Sequence, residues 1–197
     1  MTTLLLIDVQ KDFHGGSLAI PSASDDALRI ASFIKKHSSS ISRIVRFQLC
    51  IWKEHCLIGS EGHNVVQVVM DAMTEWCDAT GGSVEWVNKG EDNFTDMCSA
   101  MAAEVPVSSE TAFGYDLFHS RKKRTDKLII CGQALSHCVK YTVRDIVQRW
   151  PKDQMDKLTV LRDCTTPVPG SEMAGERLLS DMRGAGVNVE TSETFQC

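Results

Sequence analysis

No apolar run in this chain approaches the length of a membrane-spanning helix, which excludes such a span from the sequence. Positive charge is not in excess either. Lys and Arg number 21 against 26 Asp and Glu, and the net charge is −5. A nucleic-acid partner needs a basic face, so that class is set aside. The one basic run, Arg121-Lys122-Lys123-Arg124, falls between a helix-like and a strand-like stretch and reads as a solvated helix end. There are eight cysteines, yet none are spaced C-x-x-C, so a structural zinc site is not indicated. Met1 to Asp8 is apolar but has no basic lead-in and no small-residue cleavage site, so no signal peptide is expected. The cysteines are then expected to be thiols in a reducing, cytoplasmic setting. With no repeat, low-complexity segment or linker, residues 1–197 are expected to form one domain. With 43% hydrophobic and 24% charged residues, that domain can bury a core without a staple.

Short apolar runs alternate with amphipathic stretches, the pattern of βαβ units and a parallel sheet. Thr3–Val9 reads as a buried central strand, and 23–36 as a helix with Ala27, Leu28, Ile30, Ala31 and Ile34 at helical spacing. A strand is expected over 43–52. A helix over 63–77 carries Val65, Val66, Val69, Met70 and Met73 on one side. A strand over 83–87 turns at Asn88-Lys89-Gly90. The strand 127–131 runs through Gly132 to a helix over 138–150 that Pro151 stops. Strands over 158–161 and 187–189 flank a helix over 172–182. The fold class is α/β.

Ligands of open α/β sheets bind beyond the carboxyl ends of the strands. Asp8, Lys89 and Cys138 all fall at such ends. Singly, each has a plain reading as a cap, a solvated turn residue and an inert core thiol. Jointly, they describe a nucleophile. Cys138 opens a helix whose N–H groups and dipole favour a thiolate, Lys89 adds positive charge that lowers the thiol pKa further, and Asp8 takes the thiol proton and returns it to a leaving group. The segment from Cys131 to Cys138 offers backbone N–H groups for an oxyanion hole.

Four stretches resemble the nicotinamidase and isochorismatase-like cysteine hydrolases. They are Leu6-Ile7-Asp8-Val9-Gln10-Lys11-Asp12-Phe13, the W-x-x-H-C segment Trp52-Lys53-Glu54-His55-Cys56, Val87-Asn88-Lys89-Gly90, and the nucleophile loop Cys131–Val139. The resemblance spans almost the whole chain in order. It implies an isochorismatase-like hydrolase fold, three-layered αβα around a mostly parallel, Rossmann-like sheet. It implies an Asp8–Lys89–Cys138 triad, a cis peptide leading into Ala134, and the Ala134 and Cys138 N–H groups as oxyanion donors. Phe13 and Trp52 would flank a planar ring. The implied reaction cleaves a small carboxamide through a Cys138 thioester, with nicotinamide going to nicotinic acid and ammonia as the favoured case.

One family element is missing. Nicotinamidase-like members carry D-x-H at the end of the second strand, and no D-x-H occurs between Ser38 and Trp52. A divalent metal (zinc, manganese or iron) is what that motif would hold. Here His55 is the one matching ligand, and His63 is a nearby histidine without a motif match. A single histidine makes a poor metal site. The gap keeps two other readings open. One is a hydrolase of another small amide or a ureido compound; the other is a catalytically impaired, truncated homologue. The gap could also expose sheet edge that self-association into a homo-oligomer would cover.

Overall fold

The computed structural model describes residues 1–48, 55–89, 95, 97–107 and 126–196. At its centre lies strand β1 (Thr2–Ile7), whose Leu4, Leu5, Leu6 and Ile7 have no exposed surface. Such a run of apolar residues suits a strand covered on both faces. Its side chains alternate accordingly. Leu5 and Ile7 join the apolar layer on one side of the sheet, while Leu4 and Leu6 join the layer on the other.

The remaining strands are β2 (Arg43–Gln48), β3 (Glu85–Asn88), β4 (Lys127–Gly132), β5 (Leu158–Leu161) and β6 (Asn188–Glu190). The six strands are all parallel, in the order β3-β2-β1-β4-β5-β6. Four-residue α1 (Lys11–His14) follows β1. Helices α2 (Ala23–Lys36) and α3 (Gln67–Thr80) cover one face, and α4 (Cys138–Arg149) and α5 (Glu172–Gly184) cover the other. Within α2, Ala27, Ile30, Ala31 and Ile34 are buried, but Leu28 is 58% exposed and lies off the apolar stripe.

The chain runs outward from β1 through β2 to β3, then returns to β4 on the other flank of β1. The strand order therefore reverses between β1 and β4, and a crevice opens at their carboxyl ends. Two backbone features shape that crevice. Asp8 has φ 47°, a left-handed conformation that ends β1 one residue after Ile7. Gly132 has φ 118°, and a Cβ there would lie 1.9 Å from the Ile7 carbonyl oxygen. Only glycine lets β4 leave the sheet so close to β1.

Of the sequence expectations, the part of the second strand beyond Gln48, Trp52 and the basic run 121–124 lie outside the described residues.

Candidate active site

Three side chains meet at the reversal point. Lys89 follows β3, two strands from β1 and so about 10 Å away. Its long stem covers much of that distance. Lys89 Nζ lies 2.9 Å from Asp8 Oδ2, with neither side chain exposed. It also donates to the Cys98 carbonyl at 3.1 Å. Cys138, the first residue of α4, is buried and completes the group. Burial pushes its thiol above the ordinary range. The Lys89 ammonium pulls it down, and the hydrogen-bonded Asp8 carboxylate pushes it up again. Burial works against the charge on Lys89, but Asp8 and Cys138 outweigh it and its pKa is raised. The resting set is a thiol beside a carboxylate–ammonium pair. Sequence reasoning expected an acidified thiol; in the structure, loss of solvent outweighs the pull of the lysine.

The loop from Gly132 to His137 is pinned on several sides. Gln133 N–H donates to the Ile7 carbonyl at 2.8 Å, and Leu135 N–H to that of Thr166 at 3.0 Å. Gln133–Ala134 is a cis peptide. The N–H groups of His137 and Val139 both turn back to the Ala134 carbonyl, at 3.0 and 3.2 Å. Among the described residues, no acceptor meets the N–H of Ala134 or Cys138.

Cys138 and Ala134 line a cavity of about 280 Å³, small for a ligand site. Phe13, Leu18, Ile20 and Val168 make its walls mostly apolar. His55 closes another side, its ring edge-on to Phe13 with centroids 5.5 Å apart. Of the expected ring-flanking pair, Phe13 is in place, and Trp52 is outside the described residues. Sequence reasoning passed over Arg46, a buried base that interacts electrostatically with Asp8. Burial lowers its pKa to about 10, against the pull of Asp8 and Cys56.

Two carboxylates, half-buried Asp12 and buried Asp26, escaped sequence reasoning. Asp12 Oδ2 accepts from the Cys56 N–H at 2.6 Å and Oδ1 from that of Ser17 at 3.2 Å, tying the His55 loop to α1. Gly16 and Gly62 pack so closely on Asp12 that a Cβ on either would strike it. Asp26, on α2, binds the residue before Ala134, and nothing local in the sequence marks it.

No family model matches the chain, and no curated protein sequence does. Solved structures do. The structure is similar to yeast nicotinamidase bound to the inhibitor nicotinaldehyde, with a TM-score of 0.76 and 20% identity over 97% of this chain and 100% of that one. The fold is that of the isochorismatase-like hydrolases. Within this fold it is also similar to Pyrococcus horikoshii pyrazinamidase in complex with zinc (TM-score 0.70, 18% identity, 96% and 98% coverage). A third neighbour is N-carbamoylsarcosine amidase from Thermoplasma acidophilum (0.69, 16%, 100% and 99%).

One isochorismatase-like neighbour thus holds zinc, and the residues here can be tested against such an ion. Among the described residues, no three His, Cys, Asp or Glu side chains come together to ligate one. His55 faces the Phe13 ring, and the family's D-x-H at the end of the second strand does not occur between Ser38 and Trp52. Among the described residues, the donor set does not fit a divalent ion.

Proposed function

We propose that this chain is a cysteine amidohydrolase acting on a small planar carboxamide, with nicotinamide the first candidate. The observation that carries the reading is Cys138 at the wall of a small apolar cavity, with the solvent-free Asp8–Lys89 pair behind it. Buried charges are costly to keep, and a site that needs a base and a proton store is a reason to keep them.

Asp8 takes the Cys138 proton as Sγ bonds to the amide carbon, so no free thiolate has to form at rest. The carbonyl electrons move onto oxygen, which the Ala134 and Cys138 N–H groups receive. The C–N bond then breaks, and the proton held by Asp8 passes to the departing nitrogen, releasing ammonia. Water attacks the thioester, giving the acid and the thiol. Lys89 holds Asp8 in position through their 2.9 Å ion pair. Because the described donors around His55 do not fit a metal, no step runs through one, and Phe13 and His55 contact the ring directly.

A second substrate reading has its own support. Coverage of the N-carbamoylsarcosine amidase is as full as that of the nicotinamidase, at a TM-score of 0.69 against 0.76, so a small ureido compound fits the same chemistry. Acid quenching during turnover, followed by peptide mass mapping, separates the candidates. The expected result is one acyl group on Cys138, nicotinoyl or carbamoyl according to the substrate. Turnover without any adduct on Cys138 would contradict the thioester route.

A further inference from the structure

Asp26 takes no part in the chemistry above, yet its carboxylate is almost fully buried and gathers three side-chain donors. Gln133 Nε2 donates to Oδ2 at 2.7 Å, the Thr166 hydroxyl donates to the same oxygen, and Arg29 Nη2 donates to Oδ1 at 2.8 Å. Gln133 is fixed at its other end too, since Oε1 accepts from the Thr166 N–H at 3.3 Å. Thr166 in turn holds Leu135 through its carbonyl. Residues 133 and 135 are thus both fastened, and Ala134 lies between them. A buried carboxylate has to be fully hydrogen-bonded to be tolerated, and here the bonds converge on the residue that leads into Ala134.

We infer that Asp26 is a positioning residue that aims the Ala134 N–H at the oxyanion by clamping Gln133. The inference rests on the reading of Cys138 as nucleophile. Oxyanion donors act only when held where charge will appear, and a shift of about 1 Å can cost about a hundredfold in rate. Asp26 reaches the reacting atoms through Gln133 and Thr166 and not by contact, so the effect belongs in kcat rather than in substrate binding.

The near-isosteric Asp26→Asn keeps the volume but turns an acceptor into a donor facing two other donors. Gln133→Met cuts the same link from its other end, so the test survives if Asp26→Asn does not fold. Three quantities are read on each folded variant and on the parent protein: amide kinetics, affinity for nicotinaldehyde, and the rate at which iodoacetamide alkylates Cys138. An aldehyde captured by a thiol forms a tetrahedral oxyanion and depends on the hole, whereas alkylation does not. The expected result is a fall in kcat of about tenfold to a hundredfold with KM within about twofold. Nicotinaldehyde should weaken in parallel, and alkylation should stay near the parent rate. Unchanged kcat and aldehyde affinity in a folded Asp26→Asn would overturn the inference. So would alkylation shifting along with them in either direction, because that is a change around the thiol itself. A parent protein that neither turns over an amide nor binds the aldehyde overturns the reading of the site, and this inference with it.

Discussion

Lys89 and Asp8 form an ion pair with 2.9 Å between nitrogen and oxygen, and neither side chain touches solvent. Removing one partner of such a pair strands the other charge. Lys89→Met should lower unfolding free energy by about 3–5 kcal/mol, read by denaturant titration, and should abolish amide turnover. A loss below about 1 kcal/mol, the size of a surface pair, would contradict the solvent-free placement.

The same pair sets a pH dependence. Lys89 has a raised pKa in the folded state, so its contribution to stability is complete below the ordinary lysine value. It is lost as pH rises through the folded value, above 10.5. The Cys138 thiol is pushed up by burial, so its alkylation by iodoacetamide should accelerate through the alkaline range. A rate already at its plateau below neutrality would mean a resting thiolate and contradict this account.

Asp12 anchors the loop that carries His55 by accepting from the Cys56 and Ser17 N–H groups. Asp12→Ala withdraws both acceptors, at a cost of about 1–3 kcal/mol for a buried group left unmade. In the proposed reading His55 and Phe13 touch the ring rather than the reacting carbon, so KM should rise more than kcat falls. Steady-state kinetics decide this, and an unchanged KM in the folded variant would remove His55 from the pocket's binding role.

Chelation tests the absence of a fitting donor set. Exhaustive treatment with a chelator should leave amide turnover within about twofold, and added zinc, manganese or iron should not raise it. Loss of activity that zinc restores would show that ligands outside the described residues complete a metal centre.

Much of this fold was legible because burial leaves a periodic trace. The helix Ala23–Lys36 and the strand Leu158–Leu161 have the expected bounds. The helix expected from His63 begins at Gln67 instead. Val65 bridges to Gln10, and the Val66 N–H donates to the Val9 carbonyl, so two valines that fit a helical stripe serve extended backbone. The first strand stops at Ile7 rather than Val9 because Asp8 turns left-handed. Asp8, Lys89 and Cys138 could be nominated because each follows a strand. That they form a triad was implied by the family resemblance alone, since strand order is not readable from the residues. Asp26 was illegible for the same reason: it reads as a first-turn charge on a helix, and its partners Gln133 and Thr166 lie 107 and 140 residues away.

Ammonia release from nicotinamide, beside a panel of small amides and ureido compounds, tests the central claim most directly when Cys138→Ala is run in parallel. The account predicts turnover of at least one planar carboxamide by the parent protein and none by the variant. Equal ammonia release by the two proteins, or none by the folded parent on any member of the panel, would contradict it.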